Sequence, residues 1–90
     1  MKKVEIISVA RKKMMRRGIS EDWVQHTLEE PAQIVTGHGA RKVAHGKHFV
    51  GGKEYLLRVI FEETEHSYVV ISAYLTSQVD RYWKENDREN

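Results

Sequence analysis

Residues Glu54–Glu62 (EYLLRVIFE) and Ser67–Leu75 (SYVVISAYL) are rich in β-branched and aromatic side chains and apolar at almost every position. Such runs read as strands that sit centrally in a sheet, covered on both faces or paired with a partner. The polar tetrad Glu63-Thr64-Glu65-His66 joins them. Upstream, Val50-Gly51-Gly52-Lys53 is a hairpin connection to a third strand, Lys42–Phe49, in which Gly46 signals a bulge or bend. Ala32–Thr36, closed by Gly37-His38-Gly39, adds a further candidate strand. Connections this short join antiparallel neighbours, since a parallel crossover needs a dozen or more residues.

Before Pro31 the period changes. Lys3–Ser8 is a short strand or an extended lead-in. Ser8 then reads as the N-cap of a helix running to Arg17, with Ala10 and Met14 in its apolar stripe behind Ile7 and with Lys12, Lys13, Arg16 and Arg17 on the other side. Gly18 supplies the left-handed stop. Ser20 caps a second helix with Glu21 and Asp22 in its first turn, Val24 and Leu28 in its stripe, and Trp23 and Thr27 adjoining. Pro31 ends it. After the last strand, Ser77 is a candidate cap for a short helix carrying Val79, Tyr82 and Trp83, and Asn86–Asn90 is expected to fray. The expected fold is α+β: two N-terminal helices on an antiparallel meander of three to four strands, with a short C-terminal helix.

The chain has 90 residues, 40% hydrophobic and 31% charged, which suits one soluble domain over 1–90 and leaves no room for two cores. No apolar run approaches the ~20 residues that span a bilayer. Val4–Ala10 is too short for a signal core and contains Glu5, so a cytoplasmic protein with no membrane partner is expected. With no cysteine, thiol catalysis, disulfides and Cys-ligated metals are excluded. His45 and His48 lie three apart on one strand and so point to opposite faces; neither a metal nor another cofactor is expected. The serines lack a nucleophile elbow, and Gly51-Gly52 opens no helix, as a phosphate loop must.

Charge is segregated. Residues 1–20 hold seven cations (Lys2, Lys3, Arg11, Lys12, Lys13, Arg16, Arg17) against Glu5 alone, residues 21–40 hold four carboxylates and no Lys or Arg, and Arg41, Lys42 and Lys47 restore positive charge. A phosphate-binding surface and a solvated helix face both look like this. Arg58 is the most informative residue, because a charge inside Leu56-Leu57-Arg58-Val59-Ile60 is costly without a partner. If residues 50–53 form a four-residue hairpin loop, Arg58 lies opposite His45 and shares a face with Leu56 and Ile60. An Arg beside a His on a sheet suits a phosphate site. An Arg that snorkels or pairs with a glutamate is the plainer alternative. Tyr74, near the end of its strand beside Thr76, is placed to reach a cleft.

Ala10-Arg11-Lys12-Lys13-Met14, Arg17-Gly18-Ile19-Ser20, Val24, Leu28, Pro31, Leu57-Arg58-Val59-Ile60, Val69–Tyr74 and Thr76-Ser77 through Arg81-Tyr82-Trp83 run in the order of a known pattern. The chain resembles the prokaryotic domain-of-unknown-function family four-two-five-eight, which is grouped with RelE-like and colicin-like ribonuclease toxins. That resemblance implies helices beside an antiparallel sheet and a metal-independent RNA-cleaving site, often in a toxin–antitoxin setting. Arg58 matches the arginine that helps hold the scissile phosphate in RelE-type toxins. Many members carry His immediately before the helix alanine, where this chain has Val9. An endoribonuclease toxin would then use Arg58, with His45 or Tyr74 as proton shuttle and Lys13, Arg17 and Lys42 on the phosphate. The alternative is a non-catalytic module that binds RNA or protein. RNA, a cognate antitoxin and a second copy of the chain all remain open as partners.

Overall fold

The computed structural model describes residues 2–84; the expectation for Asn86–Asn90 lies outside them. The chain runs β1 (Lys3–Ile6), α1 (Ser8–Arg17), α2 (Glu21–Glu29), β2 (Gln33–Thr36), β3 (Arg41–Val50), β4 (Lys53–Glu63), β5 (Ser67–Thr76) and α3 (Val79–Tyr82). The strands form one sheet in the order β1-β5-β4-β3-β2. The two apolar strands are therefore central or next to central, and the α+β class is as the sequence predicts.

The sheet is mixed, not a pure meander, and it has one strand more than the widest expectation. β2 to β5 are antiparallel neighbours, but β1 pairs in parallel with β5, Lys3 against Ser67 through Ile6 against Val70. The short-connection argument governs strands adjacent in sequence. Here the whole of α1 to β4 lies between the paired strands, ample chain for a parallel return.

Local signals set most boundaries. Gly18 takes φ 69°, and the N–H of Ile19 bonds back to the Met14 carbonyl at 2.9 Å. The Ser20 hydroxyl accepts from the Trp23 N–H at 3.1 Å, capping α2. Two expected caps are corrected. Ile7, not Ser8, precedes α1 and no side chain caps it, because residues 3–6 are drawn into the sheet and Ser8 falls inside the first turn. Gln78, not Ser77, precedes α3; its N–H is taken by the Thr76 hydroxyl at 3.0 Å.

One face of the sheet carries the core. Ala10 and Met14 of α1, Ile19, and Val24 and Leu28 of α2 pack on Ala44, Leu57, Val59, Phe61, Val70 and Ala73. Each fully buried Leu, Val or Phe contributes about 1.5–3 kcal/mol. Gly46 is no bulge; it pairs regularly with Leu57. Its role is close approach, since a Cβ at Gly46 would stand 2.9 Å from Thr27 Oγ1 and 3.3 Å from Thr27 Cγ2. The irregularity lies elsewhere: Ile60 pairs with Ser72 but Phe61 with Val70, so Ile71 is the extra residue of β5.

Gly46→Ala is expected to destabilise the fold by about 1–3 kcal/mol through overpacking against α2. In a Thr27→Ala background, where both clashing atoms are gone, the same substitution costs much less. Urea unfolding of the four proteins in this cycle measures the coupling; equal costs in both backgrounds would refute the close-approach reading.

Candidate functional site

Strand alternation sends Leu57, Val59 and Phe61 to the helix-bearing face, and Leu56, Arg58 and Ile60 to the other. On that second face four polar side chains stand in one row across four strands. Gln33 pairs with His45, His45 with Arg58, and Arg58 with Tyr74. The hairpin arithmetic that places Arg58 opposite His45 matches the register in full, down to Val50 against Lys53. His45 and His48 fall on opposite faces: His48 stacks on Trp23 of α2, with ring centroids 4.7 Å apart. Among the described residues no three His, Asp or Glu side chains converge as metal ligands would.

The row is a continuous hydrogen-bond ladder. Arg58 Nε donates to His45 Nε2 at 3.1 Å and Arg58 Nη1 to the Tyr74 hydroxyl at 2.5 Å. His45 Nδ1 lies 3.1 Å from Gln33 Oε1. The backbone N–H of Lys84 donates to that same Oε1 at 3.0 Å, and Gln33 Nε2 donates to the Lys84 carbonyl at 2.5 Å. A backbone N–H can only donate, so the amide oxygen faces His45 and the proton of the neutral ring is on Nδ1. His45 Nε2 is then a lone-pair acceptor, as the Arg58 bond requires.

Residues 82–84 cross the strands above this row. The Tyr82 ring lies 4.1 Å from the Arg58 guanidinium carbon, and Trp83 stacks on His45 at 6.1 Å. Lys47 sits 4.1 Å over the Trp83 ring. Cation–π contact and hydrogen bonding together satisfy the charge that the apolar strand context makes costly. Beyond Arg58 the face opens into a cleft of about 530 Å³. Val43, Ile60 and Ser72 lie along it, with Arg58 and Tyr74 among the lining, His38 coming from the β2–β3 connection and Arg41 from the start of β3. Arg41 Nε donates to Glu62 at 3.2 Å, the carboxylate beside this rim.

His45 is wholly buried, and burial followed by the Arg58 charge lowers its pKa to about 4. Both ring nitrogens are hydrogen-bonded and the ring is unexposed, an arrangement that suits orienting Arg58 more than exchanging protons with a ligand in the cleft. Tyr74 is pushed up by burial and by the neighbouring Tyr82 hydroxyl, against the opposing pull of Arg58, so its hydroxyl stays protonated at neutral pH.

The expected phosphate cations are not brought together with Arg58. Lys13 and Arg17 belong to α1 on the core face, where Arg17 Nη1 donates to the Ala73 carbonyl at 2.9 Å. Lys42 aligns with Phe61 on that same face and pairs with Glu63 at 2.9 Å. Lys2 and Lys42 hold the Glu63 carboxyl below its usual range. Val9 is 56% exposed on α1, away from the cleft, so the residue there does not bear on the ladder. Gln33, His38 and Arg41 escaped the sequence reading. Gln33 had a usable signal: pairing the inner ends Thr36 and Lys42 of the two expected strands puts Gln33 opposite His45.

The fold and site define an α+β domain whose mixed sheet is packed by helices on one face and carries a polar ladder beside a cleft on the other. No protein-family model matches the chain, and comparison with curated proteins and with solved structures gives no match. No helix among the described residues is long and apolar enough to cross a membrane.

Unfolded His45 titrates near pH 6.5 and the folded ring near 4, so the unfolded chain takes up the proton first. The stabilisation is complete above pH 6.5 and is lost as pH falls toward 4, on the order of 3 kcal/mol. His45→Gln keeps one donor and one acceptor without titrating. The expected result is a wild-type-minus-variant unfolding free energy that falls between pH 7 and 4, because shared carboxylates cancel. Parallel curves would show that His45 is not held neutral.

Proposed function

We propose that the protein is a metal-independent endoribonuclease of the RelE-like toxin type, working in the cleft beside Arg58. The observation that carries this reading is a guanidinium held by His45 and Tyr74 at the edge of a cleft, with its Nη2 bonded to no acceptor among the described residues. Fixed on two sides, Arg58 keeps a donor pair for a phosphate and loses little entropy in binding it. The short motifs that resemble family four-two-five-eight, which no family model matches over this chain, point to the same substrate class.

In this reading the RNA 2′-hydroxyl attacks phosphorus, and the bond to the 5′-oxygen breaks. The exposed His38, an imidazole lining the cleft, takes the 2′-proton. Tyr74, kept protonated, gives its proton to the departing 5′-oxygen. Arg58 neutralises the charge that develops on the phosphorane. The products are a 2′,3′-cyclic phosphate and a 5′-hydroxyl. A cognate antitoxin is the partner this activity calls for.

One observation favours the non-catalytic alternative. The exposed cations Arg11, Lys12 and Arg16 lie on α1, which packs on the face opposite the cleft, and of these Arg11 pairs with Glu21. Binding through α1 would be salt-sensitive and indifferent to Arg58.

Inducible expression in a bacterial host is expected to arrest growth and bulk translation. Arg58→Ala should cost roughly 10²-fold or more in cleavage of single-stranded RNA, and Tyr74→Phe a comparable factor, with far-UV circular dichroism unchanged. A fully active Arg58→Ala protein would overturn the site. Binding without turnover that survives Arg58→Ala and is lost on reversing Lys12 and Arg16 would establish the alternative.

A further inference from the structure

Gln33 touches neither the cleft nor Arg58, yet it links the C-terminal segment to His45. Both polar atoms of its amide are committed to the backbone of Lys84, an N–H on one and a carbonyl on the other. Rotating the amide by half a turn would set oxygen against carbonyl oxygen and N–H against N–H, so its orientation is fixed. That orientation presents only an acceptor to His45 Nδ1. Nε2 is thereby left free of a proton, which is the state that can accept from Arg58 Nε.

We propose that Gln33 is a positioning residue through which the docked segment 82–84 aims Arg58 into the cleft, by selecting the protonation state of the ring between them. The proposal rests on the reading that Arg58 is the phosphate ligand. It makes the C-terminal segment a working part of the site. With the segment displaced, the amide is free to rotate and offer its NH₂ to Nδ1, and the ring proton moves to Nε2. Arg58 Nε then faces a donor and is pushed out of line.

The groups facing the ring are Arg58 from β4, Gln33 from β2 and Trp83 with the Lys84 backbone from the segment. Lys47, over Trp83 and 3.9 Å from Glu54, is a further cation on this face. Tyr74 and Tyr82 are the titratable hydroxyls on the far side of Arg58. None of these offers His45 a carboxylate; one at position 33 gives the ring an anionic partner and also removes the N–H that meets the Lys84 carbonyl, so it perturbs both ends of the relay.

Gln33→Glu tests the relay. Nitrogen-15 NMR of the imidazoles should show the wild-type ring neutral and protonated on Nδ1 from pH 8 down to 5. In Gln33→Glu the ring should become an imidazolium at pH 7, and the Arg58 Nε–H should exchange with water at least tenfold faster. Cleavage of a single-stranded RNA oligonucleotide by the variant should then drop at least tenfold at pH 6 and recover at pH 8, while the wild type changes little. A wild-type ring protonated on Nε2, or a variant whose loss is the same at every pH, would overturn the proposal. The two claims separate. A ring that responds as expected in a protein indifferent to Arg58→Ala sustains the relay and defeats the ribonuclease. An Arg58-dependent enzyme whose His45 ignores position 33 does the reverse.

Discussion

A guanidinium in the middle of an apolar strand must be solvated by the protein, and the second face of this sheet is arranged around that need. Arg58 has Leu57 and Val59 as neighbours in sequence, both wholly buried against the helices. Alternation turns its own side chain the other way, where His45 and Tyr74 are its partners across β3 and β5. A second cation in the row would repel it, and an aliphatic residue would leave its Nε–H without an acceptor. A neutral histidine supplies an acceptor with no charge, and burial under Trp83 keeps it neutral.

The same alternation lets one sheet serve two purposes. Its packed face has little tolerance: α2 comes close enough to β3 that Gly46 has no room for a methyl group beside Thr27. Its polar face is covered over part of its area by residues among the eight described ones that follow the last strand, none of them deeply buried. Rigidity is thus concentrated beneath the ladder and adaptability above it, a division common where a site is mounted on a scaffold. The Ile71 irregularity in β5 lies three residues before Tyr74, the partner of Arg58, and it changes the register between Phe61 and Ile60 on the way to the site.

How much of this was legible in the sequence follows from how local each constraint is. The antiparallel register of β3 on β4 was, because a four-residue turn at 50–53 fixes every pair behind it, including His45 with Arg58. The glycine stop after α1 and the Ser20 cap were legible for the same reason. The parallel pairing of β1 with β5 was not, since nothing in four residues specifies a partner more than sixty positions away. Nor did the cation-rich N-terminal segment announce which face it would occupy. Its periodicity showed which side of α1 is apolar, but only the packing of α1 on the core face separates Lys13 and Arg17 from Arg58. Gly46 was read as a bend because a glycine in a strand carries two meanings, and the one that holds here depends on a helix packed from elsewhere in the chain.

The role of His45 shows why residue type and position underdetermine chemistry. A histidine beside an arginine is an acid–base candidate as long as its second nitrogen and its exposure are unknown. Once Gln33 holds the Nδ1 proton and Trp83 covers the ring, the same residue stays neutral at pH 7 with both nitrogens engaged, which suits it to alignment. In the proposed reaction, proton transfer would fall to groups whose hydrogens can reach a ligand: the half-buried Tyr74 hydroxyl, whose pKa is raised further above neutral, and His38 on the exposed turn. Separating the group that aims the charge from the groups that move protons has a physical advantage. If His45 titrated near neutral pH, each protonation would place a second cation against Arg58; held at about 4, it leaves the Arg58 contact undisturbed at neutral pH.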